Sequence, residues 1–318
     1  MTHSAAPSAP ILGIAAIATY IPDDYLDNLA RAAALDAGED LLRDKIGVLR
    51  VSRKAADEET SDLAVKAVQR LFDRGEVRPD EVDCLVVVTQ NPDGHGLPHS
   101  SARVHGKLGL STRCAVFDVS LGCSGYVYGL SIILALIQAQ GLKRGLLVTA
   151  DPYSKIINPQ DRNTSLLFGD AAAATLITDR PVWRVGRFDL GSDGRHADDL
   201  AVPANSRHFH MNGRAVLNFS ARKVPESILH ALEINGVALA QVDRFLLHQG
   251  SRHVVHQIAR RLDVPDEKAP FLAGNYGNTV SSSIPLLLAD EVVKDDRCVA
   301  LSGFGVGISW GSTVLWRV

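Results

Sequence analysis

Short apolar runs alternate along the chain with stretches whose apolar residues fall at helical spacing. Val82–Thr89 (VDCLVVVT), Cys114–Val119 (CAVFDV), Arg144–Thr149 (RGLLVT), Ala172–Thr178, Arg244–Leu247 and Val299–Phe304 read as strands buried on both faces. Ile11–Ile21 (ILGIAAIATYI) is also apolar, but its 11 residues fall short of the roughly 20 that cross a bilayer. No Lys or Arg precedes it and no small-residue cleavage pattern ends it, so it reads as a buried strand, not a signal peptide. The intervening periodicity predicts helices over Ser61–Phe72, opened by a Ser cap and an acid, and over Leu97–Leu108, Cys123–Gln140, Val254–Leu262 and Ser281–Val293. Gly141 ends the third. This alternation predicts a layered α/β protein with a largely parallel central sheet. Each half closes on a run of strand type, Ala172–Thr178 and Val299–Val318, and a boundary falls in Thr178–Gly191. The expected halves are residues 1–178 and 179–318.

Composition narrows the function. At 318 residues the chain is long for one ordinary core, which suits one large α/β domain or two similar lobes. Hydrophobic content of 46%, charged content of 22% and a net charge of -3 carry no bulk basic character, so no nucleic-acid partner is expected. Only a local basic patch remains for an acidic partner. No membrane segment is expected, and the location expected is cytoplasmic. The four cysteines, Cys84, Cys114, Cys123 and Cys298, show no CxxC spacing, so neither a zinc site nor a disulfide framework is supported. His95, His99 and His105 are unevenly spaced, and His208 and His210 lack a third ligand, so no metal is expected.

Cys123 stands out by position. An apolar strand runs into the small-residue turn Ser120–Leu121–Gly122, and an apolar helix follows. This places Cys123 at a buried helix start, where unpaired N–H groups and the helix dipole favour a thiolate. A packed core cysteine is the alternative. Acyl chemistry at a thiolate needs an acid/base or oxyanion donor as well. His248, ending an apolar strand in RFLLHQGSR, and Asn278, in the Gly-rich turn GNYGNTVSSSIP, offer these. Alone, His248 reads as a structural histidine and Asn278 as a cap, with Ser281–Ser283 available to cap the same helix. Together, at strand ends and a helix start, they fit a ligand site at the carboxyl edge of an α/β sheet.

These stretches resemble the condensing enzymes of the thiolase fold, specifically the β-ketoacyl-acyl-carrier-protein synthase III family. The resemblance spans nearly the whole chain: TQNPD (Thr89–Asp93), the cysteine segment, LLFGDAAAATLI (Leu166–Ile177), MNGRAVLNF (Met211–Phe219), the His and Asn segments, and GFGVGISWG (Gly303–Gly311). It implies two similar βαβ-type halves in a five-layered α-β-α-β-α arrangement, the first carrying the cysteine and the second the His and Asn. It implies that Cys123 accepts an acyl group, and that His248 and Asn278 bind the malonyl carbonyl and stabilise the enolate left by loss of CO₂. The backbone N–H groups of Cys123 and Val306 would hold the first oxyanion. No cofactor is implied beyond substrates carried on coenzyme A or phosphopantetheine. An acyl carrier protein, an acyl thioester and a second copy of the chain are the implied partners.

Departures from the family pattern lie mostly at the entry. Val306 stands where the family usually has Gly, and Ala171 follows Gly169–Asp170 where Gly is usual. A β-branched residue at 306 disfavours positive φ and narrows the pocket mouth. Where the family often has a Trp and an Arg for coenzyme A, Gly38–Arg50 offers Leu41 and Lys45. The family's HQANxR becomes His248–Gln249–Gly250–Ser251–Arg252–His253, while Arg162 is kept in NPQDRNT. Carrier-protein delivery of both substrates is then expected, with Lys45, Arg162, Arg214, Arg252, Arg260 and Arg261 as a basic rim. For Arg260 and Arg261 the competing reading is a solvated helix face. Leu97 aligns with a position whose Phe often reaches into the partner subunit's acyl pocket, so a chain longer than acetyl is expected. The alternative function is acyl transfer from Cys123 to a hydroxyl, amine or carrier without condensation. An inactive scaffold fits poorly beside an intact Cys, His and Asn. A degradative thiolase fits poorly because Cys298 is the only candidate for its second cysteine.

Overall fold

A computed structural model describes residues 11–318. Residues 1–10, on which the reading of the leader partly rests, lie outside the described residues. The expected strands form, with ends shifted by a few residues. They are β1 (Gly13–Tyr20), β2 (Cys84–Val88), β3 (Ala115–Val119), β4 (Gly145–Ala150) and β5 (Ala172–Thr178). After them come β6 (Trp183–Val185), β7 (Asp189–Ser192), β8 (Arg244–Leu247), β9 (Cys298–Gly305) and β10 (Ser309–Arg317). Together they make a sheet in the order β8-β9-β10-β6-β1-β5-β4-β2-β3, with β7 alongside β10. The sheet is mixed, which corrects the largely parallel expectation. Only β2–β3, β2–β4 and β8–β9 are parallel pairs; β1–β5, β4–β5 and β9–β10 run antiparallel. Apolar runs buried on both faces look alike in either pairing, so the pattern carried no direction.

The order β2-β4-β5-β1 in the first part is echoed by β8-β9-β10-β6 in the second. The two join where β1 pairs antiparallel with β6, Ile14 opposite Trp183. Helices α1 (Thr60–Asp73) and α2 (Ser100–Leu108) cover the outer face of the first part, packing Leu63, Val68 and Val104 against Leu85, Leu146 and Leu176. Helices α4 (Gly213–Ile234) and α5 (Arg252–Arg261) cover the second, through Val224, Ile228 and Ile258 against Phe245 and Val314. Between the two sheet parts lie α3 (Gly125–Gln140) and α6 (Ser283–Leu288). Tyr126, Leu130 and Ile133 of α3 and Leu287 of α6 share one core with Val86, Leu147, Leu301 and Leu315 from both parts. A helix touched by sheet on both sides must be apolar nearly all round, as α3 is. The five layers alternate α-β-α-β-α.

Some expectations moved. The helix over Ser281–Val293 is a turn at Val280–Ser282, then α6, then a separate turn at Glu291–Val293. Helix α1 is opened by Glu59, whose N–H donates to Asp62, so Ser61 is not its cap. Helix α4, 22 residues long and running through Pro225, has no counterpart among the expected helices. No helix among the described residues is long and apolar enough to cross a membrane.

Candidate active site

Three chain segments arrive at one place. Strand β3 ends at Val119, a turn closes with Leu121 N–H on the Val119 carbonyl, and Cys123 follows just before α3. Strand β8 ends at Leu247, and the His248 N–H continues the ladder onto the Ser302 carbonyl at 2.9 Å. Asn278 is bridged to Phe168 and donates its N–H to the Leu167 carbonyl at 2.8 Å. Gly277 makes that approach possible: its φ is +84°, and a Cβ there would lie 2.7 Å from the Leu167 carbonyl oxygen. Because β8 and β9 are parallel, His248 and the turn after Gly305 emerge on the same side of the sheet.

Cys123, His248, Asn278 and Val306 line one cavity of about 120 Å³, walled mainly by apolar residues such as Leu167, Phe209 and Met211. Tyr153, Phe168 and Phe209 pack behind Cys123, with the first two rings stacked at 4.9 Å. Gly305 has φ +156° and leaves no room for a side chain beside Cys123. Val306 is not among the residues with positive φ. The conformational objection to a β-branched residue there therefore falls away: Gly305 and Gly307 take the unusual angles on either side.

Electrostatics run against the expected thiolate. Burial pushes the Cys123 thiol up to about 12, although backbone N–H groups of Val306 and of Cys123 itself pull it down. Desolvation thus outweighs those N–H groups. Burial also holds His248 neutral, down to about 3, while a backbone hydrogen bond to Val280 pulls upward. His248 meets the edge of Phe304 at 5.5 Å between ring centres. Its Nδ1 lies 2.8 Å from Ser283 Oγ, which leaves Nε2 for the cavity. Asn278 Oδ1 accepts from the Val280 N–H at 2.9 Å, which turns the donor end of the amide toward the cavity. A neutral imidazole and an amide, side by side in an apolar hollow, can stabilise an oxyanion without a buried charge.

A second cavity of about 380 Å³ opens outside the first and shares Leu167, Met211, Gly213, Ser251 and Val254 with it. Lys45, Arg162 and Arg214 line this mouth together with His253. No acid is among the described residues lining it, although Arg162 pairs with exposed Asp36 at 3.6 Å just outside. Arg252 does not line it: Arg252 lies over Phe271, 5.6 Å from the ring centre, below Gly47. Arg261 lines a different hollow with Arg222 and Pro225, and Arg260 is exposed on α5, outside the lining of the mouth but near enough to His253 to bear on its charge. Leu97 is 89% exposed in the single chain.

Residues 117–194 match the family described as 3-oxoacyl-[acyl-carrier-protein] synthase III, and residues 232–316 match its C-terminal counterpart. The chain is 33% identical to a β-ketoacyl-[acyl-carrier-protein] synthase III of Oenococcus oeni, over 93% of this chain and 96% of that protein. This chain belongs to the synthase III family. The crystal structure of 3-oxoacyl-(acyl carrier protein) synthase III from Pseudomonas aeruginosa superposes with a TM-score of 0.89 at 32% identity, covering 96% of this chain and 98% of that one. The priming β-ketosynthase of the R1128 polyketide pathway superposes at 0.87 with 25% identity, over 99% of each chain. The thiolase-like fold of this synthase III family member is thereby established.

Hydrogen bonds also reveal parts for residues that the sequence did not single out. Thr89, Gln90 and Asn91 of TQNPD all donate to Asp151, a fully buried carboxyl that burial pushes up to about 7. Asp93 accepts from the Ser61 N–H and hydroxyl. The motif is therefore a buried polar brace beneath the site. Ser282 sits at the N-cap position of α6 but makes no side-chain cap bond: its hydroxyl bonds the Thr149 carbonyl and hydroxyl, and Ser283 meets His248. A run of three buried serines in an apolar segment was the available signal.

Proposed function

We propose that this chain is a β-ketoacyl synthase III-type enzyme that loads an acyl group on Cys123 and condenses it, with decarboxylation, onto a malonyl thioester. One observation carries the reading: a thiol, a neutral imidazole and an amide from three distant segments share one apolar cavity reached through a cationic mouth. In loading, Cys123 sulfur attacks the thioester carbonyl and the N–H groups of Cys123 and Val306 receive the oxyanion. The C–S bond to the carrier breaks, and the thiol proton ends on the departing thiolate. In condensation, His248 and Asn278 hold the malonyl thioester carbonyl. The bond to the carboxylate breaks, CO₂ leaves, and the enolate carbon attacks the acyl carbon. The C–S bond to Cys123 breaks and the thiolate takes a proton from water. The product is a β-ketoacyl thioester, in fatty-acid initiation or a polyketide-like pathway.

The mouth supports delivery by an acyl carrier protein, because Lys45, Arg162 and Arg214 suit an acidic partner and a phosphopantetheine phosphate. A cytoplasmic location goes with such a partner. The half-buried end strand β3, with Val116, Phe117 and Val119 and no neighbour on its outer edge among the described residues, supports a homodimer. Exposed Leu97 supports the reading that it enters the partner's acyl pocket. The repeated strand order supports a division into residues 1–178, with Cys123, and 179–318, with His248 and Asn278.

Intact-protein mass spectrometry after incubation with acyl-CoAs and acyl-carrier proteins, beside Cys123→Ala, tests this. A mass gain absent from the variant, discharged by malonyl-carrier protein with CO₂ release, is the expected result. An adduct that a malonyl thioester cannot discharge would replace condensation by simple acyl transfer.

A further inference from the structure

Ser283 has one hydroxyl proton and two places to put it. Its Oγ lies 3.0 Å from the Val280 carbonyl and 2.8 Å from His248 Nδ1. All of these groups are buried, so no bulk water supplies a missing partner. The geometry around Val280 is held from both ends. Its φ is +53°, a left-handed angle that a β-branched residue rarely adopts. That bend puts the Val280 N–H on Asn278 Oδ1 and aims its carbonyl at Ser283 and His248.

The direction of the Ser283 proton decides what His248 offers the cavity. With the hydroxyl on the Val280 carbonyl, Ser283 Oγ can only accept, so Nδ1 carries the proton and Nε2 presents a bare lone pair. With the hydroxyl on Nδ1, the imidazole proton sits on Nε2 and points into the cavity. Only the second arrangement gives the enolate oxygen two donors, Nε2–H and the Asn278 amide.

We propose that Ser283 is a positioning residue for decarboxylation: its hydroxyl turns from the Val280 carbonyl to donate to His248 Nδ1 and so holds the Nε2–H form. The imidazole carries one proton in either arrangement, on Nδ1 when the hydroxyl faces the Val280 carbonyl and on Nε2 when it faces Nδ1. In the step itself the bond to the malonyl carboxylate breaks, its electron pair becomes the enolate, CO₂ leaves, and the enolate oxygen accepts from Nε2–H and the amide. Acyl loading makes no use of this, because its oxyanion sits on the backbone N–H groups of Cys123 and Val306. The inference rests on the condensing-enzyme reading.

Removing the hydroxyl leaves Nδ1 facing only the Val280 carbonyl, which fixes the proton on Nδ1. The test compares wild type, Ser283→Ala and Ser283→Thr in two assays, Cys123 acylation by mass spectrometry and CO₂ release from malonyl-carrier protein. Expected for Ser283→Ala is acylation within about 3-fold of wild type and CO₂ release lower on the order of 10²-fold, the usual loss for one oxyanion donor. Ser283→Thr, which keeps the hydroxyl, restores most of the CO₂ release. Equal loss of both steps, or loss of neither, in a wild type that performs both would overturn the role of Ser283 alone. A wild type that performs neither step would overturn the condensing reading instead. Should Ser283→Ala fail to fold, ¹⁵N spectra of wild type answer the same question, with His248 assigned through His248→Gln. With a non-decarboxylating malonyl thioester analogue bound, protonation at Nε2 is expected, and protonation at Nδ1 would overturn the proposal.

Discussion

A side chain on Gly305 would start 2.7 Å from both Cβ and Sγ of Cys123. A Cβ does not approach carbon or sulfur that closely without something moving, and Cys123 is buried. The bare Gly305 is thus what lets the turn proposed to hold the first oxyanion close over the thiol. Gly305→Ala adds one methyl at that contact and at φ +156°. The change should cost about 1–3 kcal/mol of stability, seen as a lower thermal midpoint. It should also slow Cys123 acylation on the order of 10²-fold, measured by mass gain against time, because a small displacement of reacting groups is costly. Acylation at the wild-type rate would mean that the turn does not form the first oxyanion site.

His248 and Asn278 are expected to separate the two chemical steps. His248→Ala and Asn278→Ala should each lower CO₂ release from a malonyl thioester by about 10²–10³-fold, since each removes an oxyanion donor. Both should still acylate Cys123. The double variant should fall short of the product of the two losses, because residues that act as a unit are not additive. Loss of acylation in either single variant would assign that residue to loading.

Charge at the mouth should govern encounter with the carrier. Lys45 and Arg214 both line the outer cavity, while Arg261 lines a separate hollow. Lys45→Glu and Arg214→Glu should each raise KM for an acyl-carrier protein about 10-fold at low salt, an effect that added salt erodes. Arg261→Glu should leave KM within about 2-fold. The reverse ranking, read from initial rates across an ionic-strength series, would move the docking face onto α5.

The sequence made some of this legible and hid the rest, for physical reasons. Apolar runs located the strands that end at Cys123's turn, at His248 and at Gly305, because buried strands carry their own pattern, whereas the two-residue strands Leu200–Ala201 and His210–Met211 beside the cavity are too short to show one. That pattern says nothing about direction, and the mixed sheet was read as parallel. The turn at Cys123 and the strand end at His248 were visible because function sits where elements end. The proton traffic was not: whether Ser283 caps a helix or meets an imidazole depends on a contact across 35 residues. Nor did position alone reveal the thiol's proton affinity. A helix start favours the thiolate, but full burial of Cys123 opposes it and wins.

Burial of these two groups should also shape stability against pH. His248 ordinarily titrates near 6.5 and in the fold is held down to about 3. Above pH 6.5 the ring is neutral whether folded or not. As pH falls below 6.5 the unfolded chain binds a proton that the fold refuses, so stability is lost progressively toward pH 3, at about 1.4 kcal/mol per pH unit. Cys123 works from the other side. Its thiol is held up to about 12 against an ordinary 9. The stability it contributes is fully present below pH 9 and is lost as pH rises from 9 toward 12, because the unfolded chain ionises first. The two residues together favour the fold most between about pH 6.5 and 9. Urea unfolding of wild type, His248→Gln and Cys123→Ala at pH 5, 7.5 and 10 separates their shares. His248→Gln should lose less stability than wild type between pH 7.5 and 5, by about 2 kcal/mol. Cys123→Ala should lose less between pH 7.5 and 10. Parallel profiles for all three proteins would mean that water reaches the site freely enough to solvate the imidazolium and the thiolate.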